Sequence, residues 1–170
     1  MDGASHGGNV TAPTHRRNPW LMLAVFVGLV GVVALVGALA ATSAPDAYNR
    51  YVLPGWAPPS SLFSPVWTVL YLVLAIAGWA YWRTDGENQG FAAYGIGLLF
   101  NLMWISLFFA GGSTQIACVD IVLLDFTVMV TIALFYRRSR VAALLLVPYL
   151  AWLLYTTALN VAIIALNDVP

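Results

Sequence analysis

An all-α integral membrane protein, a bundle of five transmembrane helices, is the fold this sequence predicts, and three observations predict it. The chain of 170 residues is 61% hydrophobic and 8% charged, with a mean hydropathy of +0.84. A water-soluble domain of that size cannot hide so much apolar surface in one core. Its apolar residues form five consecutive stretches, each near the ~20 residues that cross a hydrocarbon core as a helix. Those stretches fill nearly the whole chain, which leaves one domain.

Residues 1–18 are polar, rich in Gly and His, and without apolar periodicity, so they read as a disordered tail ahead of a domain at 19–167. The first span runs from Pro19 to Thr42. Arg16 and Arg17 precede it as they would in a signal peptide, but the span is too long for the apolar core of one, which favours a retained helix. From Ala44 to Pro59 the chain is a loop. The segment from Leu53 to Trp67 sets four Pro and two Trp at the mouth of the next span, and proline at this density makes a stiff surface loop. Asp46 and Arg50, four apart, are spaced to pair on a short helical turn. Indoles at this level can be headgroup anchors, the reading adopted for Trp20, or rings that close on a ligand. The remaining spans are Leu62 to Trp82, Phe91 to Ala110, Thr114 to Tyr136 and Val141 to Leu166. No fixed repeat appears and five spans do not divide into equal halves, which argues against a transporter built by duplication.

Every basic residue is Arg. With five spans, Arg16, Arg17, Arg83, Arg137, Arg138 and Arg140 fall on the side of the N-terminus and only Arg50 on the other. For a chain in the cytoplasmic membrane the bias predicts a cytoplasmic N-terminus, with the first loop and the C-terminus outside. Cys118 is alone, so no internal disulfide is expected.

Several chemistries are excluded. Without Lys there is no retinal Schiff base and no lysine-based covalent catalysis. His6 and His15 both lie in the tail, which leaves the bundle no imidazole pair for haem; with one Cys and no core His, neither a zinc nor an iron–sulfur site is expected. Gly95 and Gly97 lie within an apolar span and not between strand and helix, so they make no nucleotide fingerprint. No obligatory cofactor and no nucleic-acid partner are expected.

Within the spans an aromatic and polar set converges. Asn101, Trp104 and Phe108 recur at i, i+3, i+7, within an arc of roughly 60°. Tyr149, Trp152, Thr156 and Asn160 share an arc of roughly 80° on the fifth span, and Trp67 and Tyr71 lie one turn apart on the second. Asn and Thr can be interhelical glue, yet close helix packing favours small residues and does not account for the indoles beside them. Asp120 and Asp125 are costly within a span. They stand roughly 140° apart around the helix, which argues against an acid dyad. Each is a ligand or proton site, or a carboxyl that is protonated or bonded to a neighbouring helix; Asp120, nearer the outer side, is placed to be partly hydrated. Ala93 and Gly97 make a small-x-x-x-small pair that would let two helices approach closely, in a homodimer or within one chain.

The runs W-A-P-P-S-S-L-F-S-P-V-W-T-V-L-Y (Trp56 to Tyr71), F-N-L-M-W-I-S-L-F-F (Phe100 to Phe109) and V-P-Y-L-A-W with L-N following (Val147 to Trp152, Leu159, Asn160) resemble the tryptophan-rich sensory protein family, also called the translocator protein or peripheral benzodiazepine receptor family. The likeness spans about Trp20 to Leu166, with the three motifs in order. It implies a five-helix bundle, usually a homodimer, that binds porphyrins such as protoporphyrin IX, and isoquinoline carboxamide or benzodiazepine drugs, in a pocket under the first loop. By this resemblance Tyr48 matches the loop tyrosine, Trp67 the second-helix indole, Asn101 the third-helix amide, Asp120 a fourth-helix carboxylate and Trp152 the fifth-helix indole. A fourth-helix Cys that touches drug in one bacterial member falls at Ile121, so that contact does not transfer. In bacterial members the indoles matching Trp67 and Trp152 are associated with light-dependent porphyrin breakdown. The sterol-recognition pattern of animal members needs a Tyr and a basic residue; Ala158 to Pro170 has neither, so specific cholesterol binding is not expected.

The expected function is therefore a membrane receptor for porphyrins, with a sensory or regulatory role in tetrapyrrole or stress handling. Its expected ligand set is Tyr48, Trp56, Trp67, Tyr71, Asn101, Trp104, Phe108, Asp120, Tyr149, Trp152 and Thr156. The alternatives are a light-dependent porphyrin-degrading enzyme, in which Trp67 and Trp152 are catalytic, and a transporter of porphyrin or lipid.

Overall fold

In lipid an apolar segment must satisfy its backbone hydrogen bonds internally, and each long apolar run of this chain does so as a helix. A computed structural model describes residues 18–40, 48–110 and 113–167. The helices are α1 (Pro19–Ala40), α2 (Phe63–Trp82), α3 (Asn88–Ile105), α4 (Thr114–Tyr136) and α5 (Arg140–Asn167). A 3-10 turn, Ser60–Leu62, leads into α2 after the proline-rich loop, and a π-helical turn, Ser106–Ala110, follows α3. All five helices are long and apolar enough to cross a membrane. The chain is a multi-pass integral membrane protein of all-α class.

The helices close a ring. α1 packs on α2, α2 on α5, α5 on α4, α4 on α3, and α3 returns to α1. Their outer faces carry large apolar side chains such as Val32, Leu99, Val119, Phe126 and Leu144, all more than 60% exposed, as lipid contact requires. One end of the bundle gathers the N-terminus of α1 and the α2–α3 and α4–α5 turns. The Trp79 indole N–H donates to the Pro19 carbonyl at 2.9 Å, and Arg138 reaches from the α4–α5 turn to Glu87. Called here the arginine end, it also holds an aromatic block in which the Tyr81 and Phe135 rings stack at 3.8 Å, 7° from parallel. The opposite end holds the first loop. The Val52 N–H donates to Asn167 Oδ1 at 2.9 Å and Asn167 Nδ2 donates back to the Val52 carbonyl at 3.0 Å, which ties the loop to the last turn of α5.

Several expectations change. α3 starts at Asn88, ahead of the expected Phe91, because the polar residues before the apolar run already take helical geometry once the Tyr81 hydroxyl has accepted the Glu87 N–H at 3.0 Å. The regular third span stops at Ile105, where the backbone widens into the π turn. Gly97 is buried, and a Cβ there would face Thr127 and Val128 of α4, so this member of the small pair lies on the α3–α4 approach within one chain. Asp120, expected near the outer side, is 5% exposed and faces into the bundle with Ala117, Ile121 and Leu124. The expected tail and the Asp46–Arg50 pairing involve residues outside those described.

Candidate functional site

The half of the bundle under the first loop is lined with rings. On α2, Trp67 and Tyr71 sit one turn apart, with ring centroids 5.4 Å apart. The Trp67 indole also meets Trp104 of α3, stacked at 6.3 Å, and Tyr149 of α5, edge-on at 6.3 Å. Trp104 stacks in turn on Phe108 at 5.3 Å. Phe108 stays buried although it lies in the π turn, a feature that tends to occur where a helix is adapted to a site. At the base of this stack stands Asn101, fully buried. Its Oδ1 accepts from the Tyr71 hydroxyl at 2.9 Å and its Nδ2 donates to the Tyr149 hydroxyl at 3.1 Å, so one amide joins α2, α3 and α5. Pro148, inside α5 beside Tyr149, leaves the Leu144 carbonyl without its usual helical donor.

A second group forms the rim. Tyr48, buried in the loop, donates to the Pro58 carbonyl at 3.0 Å and packs edge-on to Phe63 at 5.2 Å. Phe63 meets Trp152 of α5 at 6.1 Å, Trp152 meets Tyr155 at 5.4 Å, and Tyr155 meets Trp56 at 5.7 Å while its hydroxyl donates to the Trp56 carbonyl. Burial, with the neighbouring Tyr155 phenol adding to it, pushes the Tyr48 phenol up to about 12. Its hydroxyl is therefore a neutral donor throughout the physiological range. Trp56 is 50% exposed, outermost of the set.

The expected residues thus fall into two ring groups. Trp67, Tyr71, Asn101, Trp104, Phe108 and Tyr149 form the inner stack; Tyr48, Trp56 and Trp152 form the rim. Thr156 is buried on α5, but its hydroxyl donates to the Trp152 carbonyl of its own helix. Asp120 lies on α4 with one carboxylate oxygen unpartnered among the described residues, and Asp125 bonds Thr157 of α5 at 2.8 Å. Phe63, Tyr155 and Tyr51, whose ring meets Phe108 at 6.1 Å, were not in the expected set. Tyr155 had a signal, three residues after Trp152 on the same helix. Phe63 stands inside the first motif and Tyr51 had none beyond its loop position.

A family model described as TspO/MBR matches residues 22–166. The chain belongs to the TspO/MBR family. It is 38% identical over 154 residues to Tryptophan-rich protein TspO of Chlorobaculum tepidum, covering 86% of this chain and 96% of that protein. It is 31% identical over 149 residues to Tryptophan-rich sensory protein of Cereibacter sphaeroides, covering 87% and 92%. To Translocator protein of Homo sapiens it is 35% identical over 112 residues, 63% of this chain and 66% of that one. Membership of the TspO/MBR family covers all five helices, both ring groups and the loop from Tyr48 onward.

Proposed function

We propose that this chain is a membrane receptor for flat, hydrophobic tetrapyrroles of the protoporphyrin IX type, in a sensory or regulatory role, with isoquinoline carboxamides and benzodiazepines as synthetic ligands of the same site. The observation that carries the reading is the packing around Trp67, where rings from α2, α3 and α5 meet on one half-buried indole under the loop. Indole and phenol faces give a planar macrocycle large stacking area, and the loop and helix ends offer donors near water for its propionates. At centroid separations of 5 to 6 Å the rings touch one another, so a macrocycle enters only when the indoles part. The N-terminus is proposed to face the cytoplasm, because the arginines gather at its end of the bundle.

Ligand-induced quenching of tryptophan fluorescence tests the site. Trp152→Ala should weaken binding of protoporphyrin IX by about 1–3 kcal/mol, the worth of a buried aromatic contact, while Trp20→Ala, at the far end of α1, should leave it unchanged. Equal losses at both positions would refute the assignment. The contact of Trp67 with two Tyr and a second Trp also favours a second reading, light-dependent porphyrin breakdown, since these rings can pass an electron to an excited ligand. Oxygen-dependent loss of the Soret band under light, absent in the dark and with free tryptophan, would establish it, and an unchanged spectrum would leave binding alone.

A further inference from the structure

Among the described residues, two side chains on the bundle-facing side of α5 have buried polar atoms without a hydrogen-bond partner, the Trp152 indole N–H and the whole amide of Asn160. Tyr149, Thr156 and Asn160 follow at i, i+7 and i+11, within an arc of roughly 40°, and all three are buried. The Tyr149 hydroxyl is bonded to Asn101 and the Thr156 hydroxyl to the Trp152 carbonyl. Asn160 is 1% exposed, and neither its amide oxygen nor its amide nitrogen has a hydrogen-bond partner among the described residues. A primary amide carries an acceptor and two donors, and hiding both ends unpaired lowers stability relative to an apolar side chain of the same shape.

The surroundings say what would pair with it. Asn160 lies one turn beyond Thr156 towards the loop, flanked on α5 by Leu159 and Ile163, which share an apolar cluster with Ile121 of α4 and with Tyr48, Trp104 and Phe108 of the ring groups. Asp120 and Asp125 are the buried ionisable residues of the facing helix α4. Apolar packing around Asn160, with two carboxyl groups buried on the facing helix, disfavours an anion beside the amide and suits a neutral polar group.

We propose that Asn160 is a specificity-determining residue of the site: its amide pairs with a neutral ligand group that presents a carbonyl acceptor and an N–H or O–H donor side by side, as a primary carboxamide, a lactam or an un-ionised carboxylic acid does. The inference rests on the ligand site proposed above and adds the polar chemistry that site reads. It makes the unpaired amide a cost borne by the empty protein and recovered on binding.

Asn160→Leu, similar in shape and without polar atoms, tests it on the full chain in detergent, with Asn160→Ala beside it as a variant that adds no bulk. Two probes are used, isoquinoline-1-carboxamide, which offers carbonyl and N–H together, and its N,N-dialkyl amide, which offers the carbonyl alone. The thermal midpoint of the empty Asn160→Leu protein should rise by about 2–4 °C, and its affinity for the primary amide should fall about three- to tenfold more than its affinity for the dialkyl amide, the worth of one further hydrogen bond. Trp152→Ala should weaken both probes alike. A lowered midpoint in both Asn160 variants would overturn the proposal and show that the amide holds the fold together through a buried water. So would equal effects on the two probes while Trp152→Ala still weakens both, and in that case the site reading survives alone. Probes indifferent to Asn160 and to Trp152 alike would bring down the site reading and this inference with it.

Discussion

Tyr81 shows how much one side chain can fix when two glycines make room for it. Its hydroxyl accepts the Glu87 N–H, its ring lies flat on Phe135, and a Cβ on either Gly86 or Gly90 would run into that ring. Gly90→Ala should therefore push the ring off Phe135 and cost about 1–3 kcal/mol as overpacking does, seen as a lower thermal midpoint. Porphyrin affinity should stay as it was, since the ring groups lie at the other end; an unchanged midpoint would mean that Tyr81 has space to move aside. Little of this was legible in the sequence, because the need for glycine arises only where the end of α2 folds back on the start of α3. Asn101 was more legible. Helical periodicity put it on one face with Trp104, but its partners Tyr71 and Tyr149 lie on other helices, 30 and 48 residues away, and no local pattern encodes which phenol meets which end of the amide.

Among the elements, the first loop has the most to say about binding. Proline density predicted its stiffness, and its attachments explain how a stiff loop can still open. It is held by separate, individually modest bonds: Tyr48 to Pro58 within the loop, Val52 with Asn167, and Trp56 with Tyr155 of α5. Such a loop can act as a lid, releasing α5 as a unit while Tyr48 keeps its shape. Bound protoporphyrin IX should slow amide exchange at Tyr51, Val52 and Ala57, whose N–H groups the loop bonds already hold, far more than in residues 83–90 at the arginine end. Tyr48→Ala should raise the ligand off-rate more than it lowers the on-rate. Exchange in the loop that ignores saturating ligand would leave it a fixed cap. The raised Tyr48 pKa adds a pH signature: its stabilisation of the loop is complete below about 10 and fades as pH rises through about 12, so loop protection, taken relative to the base-catalysed intrinsic exchange rate, should fall only in that alkaline window. The start of α2 after the loop was legible to within one residue. The Asn167 clamp was not, because a span of 115 residues separates it from Val52.

For the whole molecule, the sequence disclosed how many times the chain crosses and where its arginines fall, and the fold adds that Arg83, Arg138 and Arg140 lie at one rim. The indole bond from Trp79 to Pro19 and the Glu87–Arg138 ion pair bring the N-terminus of α1 and two turns together, and guanidinium groups lie over rings there, Arg83 over Trp79 at 4.9 Å and Arg140 over Tyr136 at 5.5 Å. Rings and guanidinium groups side by side suit a headgroup layer, where the ring anchors and the charge faces phosphate. Since translocating arginines is disfavoured, this rim should stay in the cytoplasm and the lidded site should open outward. Cysteine labelling in intact cells decides it, with Cys118→Ser as background to remove the native thiol. A cysteine replacing exposed Val52 should react with a membrane-impermeant maleimide at once, and one replacing exposed Gln89 only after the membrane is permeabilised. The reverse pattern would put the ligand site on the cytoplasmic face, so that the tetrapyrroles it meets would come from inside the cell; labelling of both in intact cells would mean that the chain inserts in two orientations and that its arginine bias is too weak to choose between them.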